Sequence, residues 1–210
     1  GCTATGNFVV DQPAAPLDLT SVVQDVTCFG FSNGAIDVTP TGGTAPYAFA
    51  WSNSLLQLLA ATTEDIANLP AATYLLVATD SRNCIDSLYS IVNQPDKLIL
   101  ADSVVDVSCN GGTDGAVYLM VQGGVLPYTF GWSNGAGTQD IVNVAAGPYN
   151  VLVTDANSCT EALQTVVQQP ALPLDGVIAA THIRCHGEAT GAANLEIAGG
   201  TPPYLYQWSN

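Results

Sequence analysis

Positive charge is nearly absent from this sequence: 210 residues carry three Lys and Arg together against 18 Asp and Glu, a formal net charge of −15. Surfaces that hold nucleic acid cluster Lys and Arg against phosphates, so nucleic acid is excluded as a partner. Although 48 % of the residues are hydrophobic, no stretch reaches the ~18 uninterrupted apolar residues of a membrane helix. The expectation is a soluble, core-forming chain with no membrane insertion. Long charged helix formers are scarce, while Thr, Val, Asn and Asp abound beside 20 Gly and 12 Pro, a composition of strands and turns. The fold class expected is all-β. Nucleophile and phosphate motifs are missing too: neither G-x-S-x-G nor G-x-G-x-x-G occurs in a strand-to-helix setting, and there is no P-loop. The chain is therefore not expected to be an enzyme. A metal-type C-x-x-C is also lacking, so the six cysteines read as disulfides formed in an oxidising, extracellular compartment. Gly1-Cys2-Thr3 opens directly on strand-like sequence, and the chain reads as an internal piece of a longer exported precursor.

What is present is a repeat. Cys28-Phe-Gly-Phe-Ser-Asn-Gly34, then Gly42-Gly43, Pro46-Tyr47 and Trp51-Ser52-Asn53, returns as Cys109, Gly123-Gly124, Pro127-Tyr128 and Trp132-Ser133-Asn134. It returns again as Cys185, Gly199-Gly200, Pro203-Tyr204 and Trp208-Ser209-Asn210. A second block, Asp80-Ser-Arg-Asn-Cys84 with Gln94-Pro95, matches Asp155-Ala-Asn-Ser-Cys159 with Gln169-Pro170, and Cys2 with Gln12-Pro13 is its earlier copy. The period is 81 to 82 residues and then 75 to 76, the difference falling in the Leu55–Thr63 region, which must be a surface loop. Four pieces follow: 1–13, the C-terminal tail of a preceding module; 14–95 and 96–170, two full modules; and 171–210, the N-terminal half of a further one.

Within a module, period-two alternation bounded by Gly, Pro and Asn marks strands. Ile36/Val38 and Val117/Leu119 hold the apolar phase of one strand. Tyr47, Phe49 and Trp51, and their copies Tyr128, Phe130 and Trp132, share one face of the next and are expected to anchor the core. Tyr74 and Tyr149 precede a penultimate strand at the place of a tyrosine corner. Six or seven short strands in 75 to 82 residues describe tandem immunoglobulin-like β-sandwich modules. Gln-Pro leaves hardly any spacer between modules, so a stiff rod is expected.

The ordered set of Cys, Asn/Asp-Gly, Gly-Gly, Pro-Tyr, Trp-Ser-Asn, Thr-Asp-x-x-x-Cys and Gln-Pro resembles the SprB repeat, named after the gliding-motility adhesin of Bacteroidetes. The resemblance covers essentially the whole chain. It implies a secreted, cell-surface or released protein exported by type IX secretion, with the repeats serving as stalk or adhesive fibre in cell adhesion. Pro202-Pro203 has no counterpart before Pro46 or Pro127, and Ala72-Thr73-Tyr74 replaces a Gly-containing turn. Asp86-Ser87-Leu88 and Asp102-Ser103-Val104 look like short O-glycosylation sites of such proteins, with Ser87 and Ser103 as acceptors; ordinary strand polar residues are the competing reading. No Asn-x-Ser/Thr sequon occurs.

Disulfide pairing stays open between two schemes. Pairing within modules joins Cys28 to Cys84 and Cys109 to Cys159. In an immunoglobulin-like order, however, the two cysteines of a module lie at opposite ends of a strand of ~23 Å, whereas bonded Cα atoms are ~4.4–6.8 Å apart. An inter-module ladder instead joins Cys28 to Cys159. Cys2 and Cys185 belong to the incomplete modules.

His182, Cys185, His186 and Glu188 fall within seven residues and suggest a metal, but only the cysteine recurs in the preceding module, so a structural cysteine is the reading adopted. Asp80 and Asp155 read as Asx-type turn residues; no cofactor is expected, and calcium is the one cation weighed there. The Trp-Ser-Asn aromatics are assigned to the core in preference to a carbohydrate platform. Partners expected are neighbouring modules of the same chain, a homo-oligomeric fibre through edge strands, and surface glycans or proteins gripped by Ser54–Glu64. Accessory repeats of a secreted hydrolase are the remaining alternative.

Overall fold

The computed structural model of the protein describes residues 1–7, 10–55 and 57–209. Two compact units divide the chain, Gly1–Lys97 and Leu98–Asn210. Strands β1 (Asp18–Gln24), β2 (Gly34–Thr41), β3 (Ala48–Asn53), β4 (Ile66–Leu69), β5 (Ala72–Thr79) and β6 (Ile85–Val92) build the first. The second contains β7 (Ile99–Val105), β8 (Gly115–Gln122), β9 (Thr129–Trp132), β10 (Ile141–Val144), β11 (Gly147–Thr154) and β12 (Thr160–Val167). It also carries the pair β13 (Asp175–Thr181) and β14 (Ala192–Ala198). Among the described residues no helix is long and apolar enough to cross a membrane.

Each full module is a sandwich of two three-stranded antiparallel sheets. The orders are β1-β2-β4 with β3-β5-β6, and β10-β8-β7 with β12-β11-β9. This all-β, immunoglobulin-like arrangement has six strands per module, the third crossing to the opposite sheet and the fourth returning. Alternation explains which face is inside: in β2, Ile36 and Val38 are buried and Asp37 and Thr39 exposed. Ile36, Trp51, Leu76 and Val92 pack into one core, and Val117, Trp132, Val153 and Val167 into the other.

Two local devices fix the register. Asn68 and Asn143, at φ +58° and +56°, occupy the bulges where β4 and β10 slip against β2 and β8; Asn tolerates this left-handed backbone. Gly34 and Gly115 open β2 and β8 as buried positions. A Cβ there would lie 2.5 Å from Val92 Cγ1 or 2.6 Å from Val167 Cγ1. The Asn-Gly and Asp-Gly pairs thus act through close packing of the glycine, while Asn33 closes the preceding loop by accepting the Thr27 N–H at 3.1 Å.

Candidate functional site at the module poles

The cysteines, the Gly-Gly loop and the Gln-Pro motif collect at the two ends of each sandwich, and those ends are built differently. At the leading pole, where the chain enters, the Gly42–Pro46 loop, the Asp80–Cys84 loop and the incoming segment meet. Gly43 N–H donates to Ala15 O at 3.0 Å. A Cβ on Gly42, at φ +67°, would lie 1.9 Å from Pro16 O, so only glycine lets the two backbones approach. Asp80 ties the loops together: Oδ1 accepts the N–H groups of Arg82 and Cys84 at 2.8 Å each, and Oδ2 that of Thr44 at 2.9 Å. The hydrogen bond from Cys84 N–H, with those from Thr44 and Arg82, holds the Asp80 carboxyl below the ordinary carboxylate range against the opposing effect of desolvation. Ser81 N–H then donates to Thr44 O at 2.9 Å. The second module repeats the arrangement: Asp155 accepts from Asn157 N, Cys159 N and Val125 N, all at 2.9 Å, and Ala156 N–H donates to Val125 O at 2.9 Å. Asn83 and Ser158, both left-handed, complete these Asx-type turns.

At the trailing pole a Cys-x-Gly turn is held by the departing chain. Gly30 N–H donates to Gln94 Oε1 at 2.8 Å, and Gly111 N–H to Gln169 Oε1 at 2.8 Å. Phe31 N–H and Gly112 N–H close the turn on Cys28 O and Cys109 O at 3.1 and 2.9 Å. Asp114, whose carboxyl is lowered by the Ser108 hydroxyl and N–H, secures the second loop. This glutamine clamp was not read from the sequence. Its signal was there in the left-handed glycine two residues after each first-half cysteine, Gly30, Gly111 and Gly187, paired with Gln before Pro.

Within the second unit a trailing pole meets a leading pole. Thr201, in the loop after β14, donates through Oγ1 to Ser108 O at 3.5 Å, next to Cys109, and Asn110 Nδ2 donates to Pro170 O at 2.8 Å. A groove lined by Asp106, Ser108, Gln169, Pro170, Thr201 and Pro202 marks the junction.

Cys28 and Cys159 are each in disulfide linkage, whereas Cys2, Cys84, Cys109 and Cys185 carry free, exposed thiols. In the structure neither Cys28–Cys84 nor Cys109–Cys159 is joined, Cys84 and Cys109 being thiols. The reason is the separation already noted: in each module the eight-residue β5 or β11 runs between the two poles.

Trp51 and Trp132 are buried, their Nε1 donating to Thr63 O at 3.0 Å and Thr138 O at 2.9 Å, while Tyr47, Phe49, Tyr128 and Phe130 pack half-buried against them. Tyr74 and Tyr149 donate to Pro70 O and Ala145 O, each at 2.9 Å. Tyr47 and Tyr128 have a second such bond, to Gly42 O and Gly123 O. Ser87 and Ser103 are exposed on β6 and β7; Asp86, beside the first, is engaged by Leu19 N at 2.9 Å. His182, Cys185, His186 and Glu188 are exposed, and among the described residues no three or more His, Cys, Asp and Glu gather as a metal site. The longer loop of the first module folds back through Leu59 N–H on Trp51 O at 2.9 Å and exposes Leu55 and Leu58; Leu56 lies outside the described residues, as do Phe8, Val9 and Asn210.

The family described as SprB repeat matches three times, at residues 20–56, 101–137 and 178–210. No curated protein matches the sequence. Solved structures similar to the chain include one on the structural basis for Dscam isoform specificity, at 13 % identity and TM-score 0.34, covering 75 % of this chain and 46 % of that chain. The amphioxus IgVJ-C2 molecule is similar at 15 % identity and TM-score 0.29, covering 77 % and 100 %. Domains 7, 8 and 9 of the S-layer protein SbsC are similar at 12 % identity and TM-score 0.22, covering 74 % and 60 %. The chain spans less than half the length of the Dscam structure.

Proposed function

The chain belongs to the SprB repeat family, and on that footing we propose that it is a load-bearing segment, stalk or filament, of a large secreted adhesin. As a family member it is a module of a repeat-containing surface protein. The observation that carries the finer reading is the joint in the second unit. Between the end of β12 at Val167 and the start of β13 at Asp175 the chain has no free spacer, because Gln169 and Pro170 are bonded to the Cys109 loop and Thr201 reaches Ser108 O. Modules abutted in this way transmit tension through a hydrogen-bonded joint instead of through a flexible linker. Nothing in the reading calls for catalysis: Asp80 and Asp155 each accept three backbone N–H groups and hold loops together.

Solution scattering from proteins of two, four and six modules tests the proposal. The longest dimension should rise linearly, by about 30 Å per module, the length of an eight-residue strand with its turns. Growth with the weak power of a collapsing or freely jointed chain would refute it.

A second reading has its own observation. Leu55 and Leu58 are exposed on the loop that only the first module lengthens, and exposed apolar side chains on a surface loop favour a binding role. Adhesion to glycan or protein surfaces that is lost when residues 54–64 are shortened to the turn of the second module would establish it.

A further inference from the structure

We propose that the thiols of Cys109 and Cys84 are joint sites: Cys109 forms a disulfide with the Asp-x-x-x-Cys cysteine of the module docked at Thr201, and Cys84 with the Cys-x-Gly cysteine of a module that precedes its own. This deepens the structural reading and rests on it.

The geometry of the joint in the second unit leads there. Cys109 lies at the trailing pole of its module, and its neighbour Ser108 receives the hydroxyl of Thr201. Thr201 occupies the position that Thr44 and Val125 hold in the full modules. In both, that residue is the dock for the aspartate loop: its N–H donates to the aspartate, and its carbonyl accepts the next N–H, from Ser81 or Ala156. The same aspartate binds the N–H of the cysteine four residues on, at 2.8 or 2.9 Å. A full copy of the module therefore brings its aspartate loop onto Thr201 and presents that loop's cysteine to Cys109. By the same argument Cys84, which lines a groove with Gln12, Pro13, Pro16, Leu17 and Ile85 at its own leading pole, faces the Cys-x-Gly turn of the module before.

The repeat supplies an independent observation. One cysteine of each class, Cys28 of the Cys-x-Gly turns and Cys159 of the aspartate loops, is in disulfide linkage, while Cys84 and Cys109 are thiols. Cys28 is buried; Cys109, its repeat equivalent, is exposed. Both classes of cysteine thus enter disulfides, while the two cysteines of one module are not joined to each other.

Formation of the bond is thiol–disulfide exchange. The two thiols release two protons and two electrons as the S–S bond forms, and a protein or small-molecule disulfide of the oxidising compartment takes them up and leaves as two thiols.

The test uses the full-length protein, alkylated under denaturing conditions, digested without reduction and mapped by mass spectrometry. The expected result is Cys109 linked to the aspartate-loop peptide of the following module and Cys84 linked to the Cys-x-Gly peptide of the preceding one. In a full-length Cys109→Ser variant, one new alkylated cysteine should appear, in the following module. Recovery of Cys28–Cys84 or Cys109–Cys159 peptides, or of Cys84 and Cys109 fully alkylated in the native protein, overturns the proposal. Those results would leave the linear growth in scattering untouched, whereas a collapsed array with cross-joint peptides would refute the rod and keep the disulfides.

Discussion

At the scale of single residues, the aspartates of the leading pole hold more of the structure than their place in a surface loop suggests. Asp155 accepts three backbone N–H groups from two loops, and hydrogen bonds to a charged acceptor are each worth about 1.5–3 kcal/mol. Asp155→Ala should lower the unfolding free energy of its module by about 2–4 kcal/mol, measured by denaturant titration of the segment. For Asp80 and Asp114 the lowered carboxyl fixes the sign of the pH dependence. Their contribution is present above the ordinary carboxylate range and is lost as pH falls through the lower folded values. Stability of the first module should accordingly decline on acidification, and Asp80→Asn should flatten that decline, as followed by thermal melts from neutral to strongly acidic pH. The Asx-type role of Asp80 and Asp155 was legible from their spacing to Asn83 and Asn157. The third bond of each, to Thr44 or Val125, was not, because it joins loops some thirty-odd residues apart.

Among the elements, the strands were the legible part. Ile36/Val38 and Tyr47/Phe49/Trp51 alternate in the sequence with the same phase that they show between core and solvent. Glycine was harder to read, since the letter does not say whether its freedom or its missing Cβ is used. At Gly115 it is the missing Cβ, which would lie 2.6 Å from Val167 Cγ1 and 2.9 Å from Val144 O. Gly115→Ala should cost about 1–3 kcal/mol through overpacking. In a double-mutant cycle with Val167→Ala the two losses should be less than additive, because the smaller residue vacates the clash; strict additivity would place the strain on the backbone instead. Bulges at Asn68 and Asn143 were likewise invisible to an alternation rule, which has no provision for a skipped residue.

For the whole molecule, the recurrence seen in the sequence is matched by the SprB family three times along the chain. Pairing of cysteines was not legible from spacing, because it depends on which pole each one occupies. That became visible only when Cys28 was seen beside the Gln94 clamp and Cys84 beside the aspartate loop. The mechanical reading turns on whether successive poles stay seated on one another along a long array. Electron microscopy of the native protein measures this directly. Straight or gently curved particles with a constant repeat of about 30 Å per module, of a length proportional to the number of modules, are the result expected. Particles bent freely at every Gln-Pro junction, with no constant spacing, would contradict it.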